Sequence, residues 1–207
     1  MPFLRRTGCG HEALTEIDPG FPRIQFITDT GKNFDEHFDG AFLQLFQRGY
    51  HSIVSIGGDL PMLPPNHIVQ AFGWLDYLEA AYRHGAFVHA PCQECGVSLV
   101  GYTVNTAMDS AGVFYNLEGV PALDAYIHKA TEREIPTAIL PPVADVDNVA
   151  DLAHTASLIR AAAWSSRFQP GLFVPRHTLA WLDENNIVIV TPPNQEHDPR
   201  EVIDVTN

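Results

Sequence analysis

Basic residues are scarce in this chain: 12 Lys and Arg stand against 25 Asp and Glu, a formal net charge of −13 over 207 residues. A nucleic-acid-binding surface needs clustered positive charge to neutralise phosphates, so this balance excludes nucleic acid from the expected partners. A phosphate-bearing small molecule would need a metal ion to share its charge. Cysteine is nearly absent, with three residues in all. An odd number gives no disulfide framework and fits a reducing, cytoplasmic setting. Long hydrophobic runs are missing too: none approaches the roughly 18 apolar residues of a membrane span. The opening Met1-Pro2-Phe3-Leu4-Arg5-Arg6 leads into no apolar signal-peptide core. No Gly-x-Ser-x-Gly, His-Glu-x-x-His or Gly-x-x-x-x-Gly-Lys-Ser/Thr motif occurs, which removes the nucleophile elbow, the zincin and the P-loop.

What is present suits a globular protein, with 45% hydrophobic and 18% charged residues. Residues 1–22, rich in Gly, Pro and charge, read as an irregular arm. Residues 23–163 read as one α/β domain, and residues 164–207 as an extension packing on the same domain and ending in a polar tail. Arg23 to Ile27 alternates as a strand does. Phe34, Phe38, Ala41, Phe42, Leu45 and Phe46 mark one helical face, with Asn33 or Asp35 as cap and Gly49 as stop. Ser52 to Ile56 follows as a buried strand. A helix enters at Leu63-Pro64-Pro65-Asn66 and runs through Ile68, Val69, Phe72, Leu75 and Leu78 to about Tyr82, with Phe72, Trp74 and Tyr77 as core and flank. Strands are expected at 86–90, 96–102 and 137–140, and helices through Leu123 to Ala130 and from Val149 to Ala163. A short helix around Leu179 and Leu182 and a strand at Ile187 to Val190 complete the pattern. Strands alternating with helices at this spacing predict an α/β three-layer sandwich, with a mainly parallel mixed sheet covered on both faces.

The first candidate site is Gly57-Gly58-Asp59, directly beyond Ile56. The glycines allow backbone conformations closed to other residues, and an acid at the carboxyl end of a strand in an open α/β sheet is placed to meet a ligand. Gly-Gly-Asp before Pro61 is also good turn chemistry. Asp145 and Asp147 follow another apolar strand, so in one parallel sheet the three carboxylates share an edge. An all-oxygen set of that kind suits Mg²⁺ or Mn²⁺. Asp147 is equally fit to cap the helix from Val149. Cys92-x-x-Cys95 raises zinc or redox chemistry, with Cys9, His11 and His89 as possible further ligands in space. The pair leads into a strand rather than opening a helix, and matching ligand spacing is missing.

Taken together these segments resemble the bacterial nucleotide-diphospho-sugar transferase superfamily, in the branch named for selenodomain-associated or arsenosugar-biosynthesis glycosyltransferases. Gly57-Gly58-Asp59-Leu60-Pro61-Met62-Leu63 is similar to Gly-(Ser/Thr)-Asp-Cys-Pro-x-Leu. The family's Gly-Pro-Ala-x-Asp-Gly-Gly-Tyr-Tyr-Leu-Ile-Gly falls on Ala90 to Gly101. Its Asp-Val-Asp-Thr-x-x-Asp-Leu falls on Asp145 to Leu152, and Gly31 to Phe38 echoes Gly-Asp-Leu-Gly-Glu-Arg-Met. The resemblance spans residues 23 to 162 in the family's order. It departs at the family's opening strand and Lys-Thr-Arg nucleotide loop, which has no counterpart here. The loop Asp is Glu94, the next Gly is Cys95, the Tyr pair is Val97-Ser98 and the helix-entry Arg is His37.

The resemblance implies a glycosyltransferase-A type fold and a metal-dependent glycosyl- or nucleotidyl-transferase, taking a nucleotide-activated donor and a small-molecule acceptor. Asp59, Asp145 and Asp147 would hold Mg²⁺ or Mn²⁺, with no organic cofactor. Glu94 would join Asp59 in catalysis, and Gly57, Gly58, Pro91 and Gly96 would line the donor site. The missing cradle implies an alternative: a catalytically degenerate binding or scaffold protein forming a homodimer. It also allows a cradle lent by a partner, or a start codon placed too late.

Overall fold

The structure is a computed structural model describing residues 3–6, 25–28, 31–114, 116 and 118–189; of 3–6, 25 and 26 it describes the main chain alone. The chain divides into two compact units, Met1–Asp147 and Asn148–Asn207.

In the first unit, β1 (Phe3–Arg6) pairs in parallel with β2 (Gln25–Thr28), Phe3 opposite Gln25. The expected irregular arm therefore holds a strand, one too short for its alternation to stand out. Then come α1 (Phe34–Gln47), β3 (Ser52–Ile56), α2 (Pro65–Tyr82), β4 (Phe87–Pro91), a single 3-10 turn at Gln93–Cys95, β5 (Val97–Thr103), α3 (Ala122–Glu132) and β6 (Thr137–Ile139). A four-stranded sheet has the order β3-β5-β4-β6. Only β5 runs against its neighbours, so β3, β4 and β6 are parallel and their carboxyl ends share one edge.

The two-residue period of the strands sorts their side chains onto two faces. Ile53, Phe87, Val100 and Tyr102 pack with Phe38, Phe42 and Leu45 of α1 and with Ala125, Tyr126 and Ala130 of α3. Val88, Ala90, Leu99 and Ala138 pack with Ala71, Leu75 and Leu78 of α2. This is the expected α/β sandwich with a mixed sheet. Burying one Leu or Phe side chain is worth roughly 1.5–3 kcal/mol, so these two interfaces outweigh the helix caps, each worth about 1 kcal/mol.

Helix α1 begins where Asn33 Oδ1 accepts from Glu36 N at 2.9 Å while Glu36 Oε2 accepts from Lys32 N at 2.8 Å. It closes through Gly49 in a left-handed conformation, φ +89°, with Tyr50 N donating back to Leu45 O. Its aromatic ladder continues onto the sheet, Phe42 stacking on Tyr102 at 4.3 Å. Helix α2 departs from expectation. Its buried stripe is Ala71, Leu75 and Leu78, which leaves Val69, Phe72, Trp74 and Tyr77 exposed. Three of these are aromatic residues expected as core and flank, and a helix rich in apolar residues all round does not announce which stripe is covered.

In the second unit, α4 (Val149–Ser165) and α5 (Arg176–Glu184) bury Ile159 and Leu182. The cap of α4 is Asn148, in a capping box with Asp151, so Asp147 is not the cap residue. The strand expected at Ile187–Val190 does not form over 187–189, and Val190 lies outside the described residues. Those residues instead close α5. Asn186 takes a left-handed φ of +51°, and Ile187 N donates to Leu182 O at 3.0 Å. The Ile187 carbonyl is held by Arg160 Nη2 at 2.5 Å.

Candidate functional site at the carboxyl edge of the sheet

Beyond β3, Gly57 N donates to Ser98 O at 3.1 Å, so the sheet ladder continues into the glycines. Neither Gly57 nor Gly58 takes a positive φ, contrary to the expectation that they supply forbidden backbone conformations. They supply space. A Cβ on Gly57 would lie 2.7 Å from Asp59 Oδ1, and one on Gly58 would meet nothing within 4 Å among the described residues. Asp59 itself is exposed on this edge.

Strands β4 and β5 are joined by a tight turn in which Gly96 N donates to Gln93 O at 3.2 Å and Cys92 N donates to Gly96 O at 3.1 Å. The left-handed residues on this edge are here: Glu94 with φ +57° and Cys95 with φ +60°. Two successive positive φ values belong to the primed hairpin turns that favour Asn-Gly or Asp-Gly, so Glu-Cys is an unusual occupant. Both side chains are exposed at the tip, and the turn touches α3. A Cβ on Gly96 would fall 2.6 Å from Cys92 Sγ, so the glycine makes room for that thiol.

The segment after β6 folds back across this edge. Leu140 N donates to His89 O and Val143 N to Pro91 O, each at 2.9 Å, extending the pairing with β4. Ser98 Oγ donates to Val143 O at 2.5 Å, and His67 Nε2 lies 3.3 Å from Pro141 O. Gln93 brackets Asp145: its Nε2 donates to Asp145 O at 2.8 Å, and its Oε1 accepts from Asp145 N at 3.3 Å. The Asp145 carboxylate thereby meets the Cys92 thiol. Burial first, then the hydrogen bond and charge of Asp145 and the more distant charge of Asp147, push this thiol up to about 12. A thiol held protonated is a poor nucleophile and a poor metal ligand.

The Asp145 carboxylate thus lies against the Cys92 thiol, and Asp147 acts on the same thiol through its charge. Among the described residues no three His, Cys, Asp or Glu side chains gather as a metal site would need, so Asp59, Asp145 and Asp147 do not form a preassembled ligand set. A hard divalent ion commonly takes only one or two carboxylates plus phosphate oxygens and water, so Asp145 and Asp147 remain chemically suited to one without a third protein ligand. Of the residues suggested for zinc, Cys9 and His11 lie outside the described residues. His89 is buried and stacked on Phe87, ring centres 5.4 Å apart. Sequence reasoning missed Gln93 and Ser98, because polar residues in a turn and on a strand carry no periodic signal.

A second polar cluster was legible only in part. Asp35 and Asp39 share a helical face with Phe38 and Phe42, an anomaly on an apolar stripe. Asp35, 4% exposed, accepts from Gly112 N and Phe114 N at 2.8 and 3.0 Å. Both Asp39 oxygens accept from Ser110 N at 2.9 Å; burial nonetheless raises the Asp39 carboxyl, aided by Asp109 and Asp35. Asp109 in turn holds Lys129 and Arg133, each at 2.7 Å. These carboxylates are consumed in fixing the loop after β5. A cleft of about 610 Å³ along α3, lined by Asn116, Asp124, His128 and Lys129 among others, contains none of the predicted site residues.

The fold is shared with the crystal structure of a "putative nucleotide-diphospho-sugar transferase" from Desulfovibrio desulfuricans G20: 19% sequence identity, 89% of this chain and 73% of that chain covered, TM-score 0.68. Among curated proteins none matches the sequence. The model of a family described as "Uncharacterized protein conserved in bacteria (DUF2064)" matches residues 3–117, more than half of the chain. The chain belongs to the DUF2064 family.

Proposed function

We propose that this protein is a metal-dependent glycosyl- or nucleotidyl-transferase-like protein, acting on a nucleotide-activated donor and a small-molecule acceptor at the carboxyl edge of its sheet. The observation that supports this is the return of residues 140–147 over the ends of β4 and β5, which brings the Asp145 carboxylate and the charge of Asp147 to Cys92, on the edge that also bears Asp59. Asp145 and Asp147 would hold Mg²⁺ or Mn²⁺, and Asp59, not gathered with them among the described residues, would join that ion once the donor is bound or take a donor hydroxyl. A bound divalent ion would neutralise charge building on the diphosphate leaving group. The open backbone at Gly58 leaves room for the donor to approach closely, with Gly57, Pro91 and Gly96 completing that wall. Glu94, exposed at the turn tip, orients the acceptor hydroxyl and takes its proton.

The test is calorimetric titration of a panel of nucleotide sugars in the presence and absence of Mn²⁺. Mn²⁺-dependent binding is expected for at least one donor; no binding by the wild type at any metal concentration would falsify the proposal. One observation favours a second reading, a catalytically silent binding or scaffold protein: no three ligating side chains gather among the described residues. That reading expects a homodimer by light scattering together with no nucleotide affinity.

A further inference from the structure

We infer that Gln93 is a positioning residue that locks the acidic segment 141–147 to the β4–β5 turn, so that Glu94 and Asp145 are set against each other as one unit. The inference rests on the proposed role of Asp145 and Asp147 as cation ligands. Gln93 reaches Asp145 with both ends of its amide, giving a donor to the carbonyl at 2.8 Å and an acceptor to the N–H at 3.3 Å. It thus acts as a strand partner would, at a point where the β4–β6 ladder has ended. Its own backbone carbonyl closes the turn by accepting from Gly96 N. One residue therefore fixes both sides of the edge.

The neighbouring anchors do not replace it. Ser98 and Pro91 hold Val143, and His67 meets Pro141, all upstream of the carboxylates. Only Gln93 bonds the backbone of Asp145 itself among the hydrogen bonds described there. On the turn side, Glu94 and Cys95 occupy conformations that side chains disfavour, and such a turn persists only where its surroundings over-determine it. Removing the clamp frees the acids and the turn together. Outer partners that orient metal ligands typically change metal affinity about 10–100-fold when removed.

The experiment compares wild type, Gln93→Ala and Gln93→Met by two readouts on the full chain. Hydrogen exchange of the Asp145 amide, without metal, is expected to quicken at least about tenfold in both variants. Mn²⁺ affinity, measured by calorimetry with Mn²⁺ alone, is expected to weaken about tenfold or more in both. Methionine keeps the length and apolar contacts of glutamine but neither hydrogen bond. Restoration by methionine of exchange protection or of Mn²⁺ affinity would mean that Gln93 only packs, and would overturn the inference. Unchanged Asp145 exchange in Gln93→Ala would overturn it as well. A wild type that binds no Mn²⁺, with Asp145 exchange still quickened in both variants, would sink the proposed function while leaving the clamp established.

Discussion

His89 makes the stability of this protein sensitive to mild acid. It sits at the middle of β4 between Val100 and Ile139, is 2% exposed, stacks on Phe87, and its Nδ1 has no hydrogen-bond partner among the described residues. Burial penalises the charged imidazolium, and this alone lowers the ring from 6.5 to about 4. A folded-state pKa below the unfolded one means that the unfolded chain binds the proton first. The stabilisation is therefore complete above pH 6.5 and is lost as pH falls towards 4, at up to about 1.4 kcal/mol per unit. Between pH 7.5 and 5 the integrated loss is about 2 kcal/mol. Urea unfolding of wild type and His89→Leu at half-unit steps across that interval isolates this term from the other nine histidines. At pH 7.5 the two should lie within about 1.5 kcal/mol, since leucine suits an apolar neighbourhood. By pH 5 the variant should have gained about 2 kcal/mol on the wild type. A difference between them that stays constant to within about 0.5 kcal/mol over the whole range would show that His89 is not buried as a neutral ring.

Three further expectations follow from named contacts. Replacing Cys95 by glycine should relieve about 1–2 kcal/mol of left-handed strain, less the roughly 0.4–1 kcal/mol of extra freedom glycine gives the unfolded chain. A raised urea midpoint for Cys95→Gly but not for Cys95→Ala supports this; equal shifts refute it. Asp35→Asn leaves one oxygen for two N–H donors at Gly112 and Phe114, so it should cost about 1–3 kcal/mol, read as a drop in Tm; an unchanged Tm would show that the loop does not depend on this clamp. Asp59→Ala should abolish the Mn²⁺ dependence of donor binding while moving stability by no more than about 0.5 kcal/mol, as suits an exposed side chain; unaltered dependence on Mn²⁺ would remove Asp59 from the site.

The elements that could be read directly from the sequence are those in which one period dominates. In α1 the phenylalanines recur every four residues and an asparagine cap precedes them, so both face and start were legible. Strands β3 to β6 were legible as short apolar runs between turn formers. In α2 the period was visible but the buried side was not, because Val69, Phe72, Trp74 and Tyr77 are as apolar as the residues that are covered. β1 was missed because four residues carry too little pattern, and 187–189 looked like a strand because apolar side chains there serve to finish a helix. Asp59 was found at the end of its strand, since a strand followed by two glycines has a clear signature. The meeting of Asp145 with Cys92 was not legible. It depends on a backward fold held by Gln93 and Ser98, whose partners are 52 and 45 residues away.

The β4–β5 turn shows why side-chain identity and backbone shape part company in this chain. The family pattern it resembles places Asp-Gly where Glu94-Cys95 stands, and Asp-Gly is a pair that two successive left-handed residues favour. With Glu-Cys the same conformation carries a penalty of about 1–2 kcal/mol at each residue. Four hydrogen bonds surround it: two from the Gln93 amide, one from Cys92 N to Gly96 O and one from Gly96 N to Gln93 O. At a net 0.5–1.5 kcal/mol apiece, roughly, they offset that penalty. Left-handed geometry can therefore stand on residues that local preference opposes. The side chain at position 94 also differs in reach from the aspartate of that pattern. A glutamate carboxylate stands one methylene farther out than an aspartate would, so an acceptor engaged by Glu94 has to sit correspondingly farther from the Asp145 segment to which the turn is tied.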